Sequence, residues 1–167
     1  MKIVLSSLAI GILAQIAVPV GPVPVTGQTL GVLAVAVALG SRRATLAILL
    51  YLAQGIAGMP VFAGGTAGIA VLLGPTAGYL IGFVPAVWVI GRLGATNEQR
   101  RRWQMAAILS LGTLVVYAFG AMSLARFTGW ERVVPVGVLP FVAGDALKIA
   151  IVSLAAAGLR GGAEPRR

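Results

Sequence analysis

The chain has 167 residues, of which 59% are apolar and 10% charged, with no cysteine or histidine. A soluble chain of this length carries about a quarter of its residues as charges, so lipid must solvate most of this surface. The net charge of +9 does not indicate a nucleic-acid partner, because no solvated fold is left to hold a basic stripe.

The missing residue types also exclude chemistry. Without cysteine there are no disulfides, thiolate nucleophiles or cysteine-type metal sites. Without histidine there is no Ser-His pair and no general base of the commonest kind. No G-x-x-x-x-G-K-[ST] phosphate loop occurs, since the two lysines follow Met1 and Leu147. The chain is not read as an enzyme, and no catalytic residue, metal site or resident cofactor is expected.

Crossing a hydrocarbon core of about 30 Å takes roughly 20 helical residues. The first apolar block, residues 3–20, reads as a span. A signal peptide is the alternative, since Lys2 precedes the block and Ala14 and Ala17 are small, although no clear cleavage site follows. A turn-rich stretch at 19–29 leads into the blocks 30–39 and 44–57, which Gly40-Ser41-Arg42-Arg43 separates. Both are short for full spans, and either borrow turns from their flanks or stop where backbone lines a cavity. Residues 66–73 predict a partial or re-entrant helix, broken by Gly74-Pro75-Thr76, and 77–93 a full span. A polar loop at 94–103 is followed by a fifth span at 105–122, a mixed connection at 125–140 and a sixth span at 141–159. No internal repeat is visible.

The expected fold is therefore a single all-α, polytopic membrane domain over residues 1–167, with about six transmembrane helices. Six spans put Lys2, Arg42, Arg43, Arg92, Arg100, Arg101, Arg102, Arg160, Arg166 and Arg167 on one face, against Arg126 and Arg132 on the other. Positive charge marks the cytoplasmic side, so both termini are expected there. High Ala, Gly and Arg usage fits a GC-rich bacterial genome, which makes a bacterial cytoplasmic membrane the expected location.

The outward loops PVPVTGQT, GMPVFAGGTAG with GPTAGY, and the stretch into VLPFVAGD are rich in Gly and Pro and poor in charge. Such loops fit a rigid backbone around a small ligand; the plainer reading is tight turns between short helices. Asp145 and Lys148 lie within a span, three residues apart on one helical face. Intramembrane charges are costly and commonly mark a site, although an ion pair that locks the bundle is the other reading. Gln28, Thr26 and Tyr79 add an amide and two hydroxyls at similar depth, and each alone also suits a satisfied helix end. Ser7-x-x-x-Gly11 forms a small-residue surface on the first span, for a partner helix or for internal packing.

The runs PVPVTGQTL and GSRRATLAILLYLAQGIAGMPVFAGGTAGIAVLLGPTAGYLIGF, with VLPFVAGDALK near the C-terminus, closely resemble the BioY family. Its members are biotin-binding substrate-capture (S) subunits of energy-coupling-factor (ECF) importers. The resemblance covers nearly the whole chain, with the fifth span matching in hydropathy alone. It implies a six-helix fold, a pocket open to the outside and cytoplasmic termini. It also implies high-affinity biotin capture, with a transmembrane coupling protein (T component) and a pair of ATPases (A components) as partners that spend the ATP. Asp145 and Lys148, in the motif GDxxK, are implied as contacts for the ureido ring. Tyr79 falls in the family's PTGGY motif, where Ala77 replaces one glycine. Ser7 and Gly11 stand where the family often carries an Ala-x-x-x-Ala docking pattern. The apolar walls for the fused ring and tail are expected from the segment holding Phe62, Gly64 and Gly65. The rival readings are an S subunit for another vitamin, such as thiamin or riboflavin, a membrane enzyme with Asp145 as base, which would lack a histidine or metal cluster to work with, and a membrane assembly subunit that binds no ligand.

Overall fold

The computed structural model describes residues 1–95 and 101–161. Arg100, Arg166 and Arg167, which entered the topology argument, lie outside the described residues. The protein is mostly helical. Its helices are α1 (Lys2–Ala14), α2 (Gln28–Ile56), α3 (Ala77–Ala95), α4 (Arg102–Thr128), α5 (Trp130–Gly137) and α6 (Leu139–Gly161). Among the described residues, four stretches are long and apolar enough to cross a membrane: Gln28–Ile56, Ala77–Gly94, Arg102–Thr128 and Trp130–Ala156.

The first block departs from its expected length. α1 has 13 residues, about 20 Å of helix at 1.5 Å per residue. After Gln15 and Ile16 the chain turns extended, and β1 (Ala17–Val18) pairs antiparallel with β2 (Val25–Thr26). Three prolines at 19, 22 and 24 prevent the helix from continuing, and the β1–β2 hairpin absorbs the freed backbone groups.

The two short blocks that follow are the arms of α2. Gly40, at φ 72° and ψ 174°, interrupts the helix, a conformation that costs glycine little. The side chains of Gln28 and Tyr51, 23 residues apart, are hydrogen-bonded to each other. A straight helix would hold them about 35 Å apart, so the arms fold back on one another at Gly40. α3 crosses this reversal closely: a Cβ on Gly91 would stand 2.2 Å from the Ser41 nitrogen. α1 lies on the first arm, where Gly31 faces Ile10 and Leu13. Backbones approach this closely in lipid where residues are small.

Residues 66–73 form no α-helix. Two short 3-10 turns, Ala63–Gly65 and Ile69–Leu73, carry the chain to α3. The expected mixed connection at 125–140 is helical instead: α4 continues to Thr128, and α5 follows across Gly129. Leu139 and Pro140, expected in that connection, open α6. Pro140 sits in its first turn, where a missing N–H costs nothing.

Ile48, Tyr51, Ile90, Leu109 and Leu124 are fully enclosed at the centre. Leu46, Leu49, Trp88, Leu114, Ile151 and Leu154 face outward. An apolar outside wrapped around an apolar core is the arrangement lipid selects, and it agrees with the composition.

A candidate ligand-binding cavity

The three Gly- and Pro-rich segments, distant in sequence, meet around one cavity of about 430 Å³. Pro24 comes from the hairpin, Ala63 and Thr66 from the 3-10 region, Pro75 from the break before α3, and Phe83 and Phe141 from α3 and α6. Small-molecule pockets occupy about 300–1,000 Å³ and combine apolar walls with a few placed polar groups. This cavity has that make-up.

Its polar group is on α6. Phe141, Asp145 and Lys148 stand at i, i+4 and i+7, so one helical face presents all three to the cavity. The Lys148 ammonium donates to Asp145 Oδ1 at 2.8 Å, to Thr29 Oγ1 at 2.6 Å and to the Thr26 carbonyl at 2.8 Å. Thr29 passes its own hydrogen to Asp145 Oδ1 at 2.9 Å, and the Tyr117 hydroxyl donates to Oδ2 at 2.7 Å. All three ammonium hydrogens are engaged. A carboxylate has about four acceptor positions, and three of them are filled here. Asp145 is 2% exposed, a depth at which an unpaired carboxylate would be untenable.

Gln28 and Thr26 border the cavity as expected, but their polar ends are largely turned inward. The Thr26 hydroxyl donates to Gln28 Oε1 at 3.0 Å, and Gln28 Nε2 donates to the Tyr51 hydroxyl. Tyr51 in turn donates to the Val61 carbonyl at 3.0 Å. This chain ties the second turn-rich loop to the first arm of α2. Tyr79 borders the cavity, with its hydroxyl on the Gly137 carbonyl at 2.6 Å. Phe62 also borders it, but its ring is seated in the core against Gly55 and edge-on to Tyr51, with centroids 5.6 Å apart.

Gly64 and Gly65 do not border the cavity. They are exposed, with φ of 64° and 76°, and their left-handed turn brings Ala63 and Thr66 to the wall instead. Ser7 and Gly11 are buried within the chain's own bundle: the Ser7 hydroxyl donates to the Val4 carbonyl, and Gly11 faces Val61. The outward face of α1 is Val4, Leu5, Leu8 and Ile12.

Two residues that sequence reasoning passed over, Thr29 and Tyr117, complete the charged group. Thr29 adjoins Gln28 in the TGQT run, and that was its signal. Tyr117 is a hydroxyl in the middle of an apolar span, a placement that asks for a buried partner.

Residues 1–164 match the model of the BioY family. The chain is 43% identical to the probable biotin transporter BioY of Pyrococcus horikoshii, covering 89% of this chain and 87% of that one. It is 35% identical to the biotin transporter BioY of Thermotoga maritima, over 88% and 86% of the two chains. A crystal structure of the S-component for biotin from an ECF-type ABC transporter superposes with a TM-score of 0.85 at 27% identity, covering 95% of this chain and 88% of that chain. With a match over almost its whole length, this chain belongs to the BioY family.

Proposed function

We propose that the chain captures biotin at the cavity and is the substrate-specific S subunit of an ECF-type importer. The observation that carries this reading is the Asp145–Lys148 pair, braced by Thr29 and Tyr117 at the wall of an otherwise apolar cavity. Biotin's ureido ring offers two N–H donors beside one oxygen. One acceptor position on Asp145 remains for a ligand N–H. Every hydrogen of Lys148 is engaged, so the ureido oxygen replaces one present acceptor, and the Thr26 carbonyl on the hairpin is the exchangeable one. The fused sulfur ring and aliphatic tail pack against Phe83, Leu80, Val71 and Phe141.

On the same reading the chain crosses a bacterial cytoplasmic membrane six times with both termini inside. The reversal at Gly40 and the distribution of arginine support that topology. The cavity then faces outward, and reorientation by a T component driven by two ATPases delivers biotin inward. No resident cofactor takes part.

Calorimetric titration of the purified chain in detergent, without ATP, tests the assignment. Tight one-to-one binding of biotin, not competed by thiamin or riboflavin, is the expected outcome. No heat from well-folded protein, or displacement by another vitamin, would refute it.

A further inference from the structure

We infer that Tyr79 is a positioning residue, whose hydroxyl fixes the junction of α5 and α6 and so the place of Phe141, Asp145 and Lys148. This rests on the reading of the cavity as a biotin site.

Two helices meet at this junction and the backbone bonding is incomplete. The Phe141 N–H donates to the Val138 carbonyl at 3.0 Å, one residue short of Gly137, and Pro140 has no N–H. Gly137 is buried, out of reach of water. Its carbonyl receives the Tyr79 hydroxyl at 2.6 Å. A buried carbonyl left without a donor carries its full desolvation penalty, so this bond ties the α5–α6 turn to α3.

The surroundings are shaped for that bond. A Cβ on Gly120 would lie 2.3 Å from the Tyr79 ring, and one on Gly137 would lie 2.6 Å from its hydroxyl. The ring therefore occupies a slot made by two missing side chains, one on α4 and one at the end of α5. Beyond the slot it meets Phe141, with ring centroids 5.8 Å apart, and Phe141 meets Tyr117 at 6.5 Å. One turn further along α6 is Asp145. A shift at the Gly137 junction is thus passed along α6 to the charged pair. Tyr117 and Thr29 spend their hydroxyls on Asp145, whereas Tyr79 spends its own on the scaffold.

The test is Tyr79→Phe, which keeps the ring and removes the hydroxyl, with Gly120→Ala as a second variant that displaces the ring. Biotin affinity, measured well below the unfolding temperature, is expected to fall roughly ten-fold in Tyr79→Phe with stoichiometry unchanged. Amide hydrogen exchange of the ligand-free protein should rise at Leu139, Phe141 and Val142. The same factor should apply to biotin methyl ester and to the analogue with sulfur for the ureido oxygen. Unchanged affinity and exchange would overturn the assignment. So would weaker binding with unchanged exchange, or a penalty that vanishes for one analogue, since either would put the hydroxyl on the ligand. Failure of the wild-type chain to bind biotin would instead refute the ligand assignment, and the exchange of the ligand-free protein would still decide the role of Tyr79 at the junction.

Discussion

At the scale of single residues, the charged pair obeys an asymmetry of buried ions. Removing one partner leaves the other charge uncompensated and costs about 3–5 kcal/mol, whereas replacing both with apolar groups is often nearly neutral. Asp145→Ala is therefore expected to lower thermal stability sharply and to abolish biotin binding. Lys148→Met is expected to cost a comparable amount, because it strands the more deeply buried carboxylate of Asp145, which is left with its bonds from Thr29 and Tyr117 alone. The double variant Asp145→Leu/Lys148→Met should recover much of the stability yet bind no biotin. Unfolding curves and titrations on the three proteins check this, and a double variant that still binds would show the pair to be only a brace. Thr29→Val removes the hydroxyl that links the two charges and should weaken binding by about 1–3 kcal/mol, the cost of a buried group left unsatisfied.

At the scale of elements, close helix crossings carry the fold and small residues permit them. Gly91→Ala would drive a methyl into the backbone at Ser41, on the far side of the bundle from the cavity. Overpacking of this kind costs about 1–3 kcal/mol, so its unfolding temperature should drop while the folded fraction binds biotin nearly as before. Gly55→Ala is the contrasting variant, because its methyl would meet the Phe62 ring, which borders the cavity. Stability and affinity should fall together there. Equal binding losses in both variants would mean that the cavity responds to bundle integrity in general rather than to Phe62.

At the scale of the whole molecule, the proposed function separates capture from energy supply. The sequence has no phosphate loop with which to hydrolyse ATP, so the chain alone in liposomes should bind biotin without concentrating it. Accumulation against a gradient is expected when a T component and the ATPase pair are added with ATP. The check is uptake of labelled biotin, and concentrative uptake by the chain alone would contradict the division of labour.

The sequence by itself determined the solvent, the approximate spans and the charged pair. Those features are carried by composition, by runs of apolar residues and by spacing along one helix. Spans 77–93 and 105–122 stand out because uninterrupted hydropathy leaves few alternatives, and they correspond to α3 and α4. Asp145 and Lys148 were legible because charge inside a span is costly enough to demand a purpose. The tertiary structure decided where helices stop and what each polar group touches. α1 ends early because the hairpin offers its backbone other partners, and Gly64 and Gly65 turn the chain rather than line the wall. Ser7 and Gly11 are filled by the chain's own bundle. Tyr79 finds its acceptor at Gly137, 58 residues away, while Tyr117 and Thr29 converge on Asp145 from two other helices. Hydrogen bonds between distant segments depend on how the helices cross, and local sequence pattern does not encode that geometry.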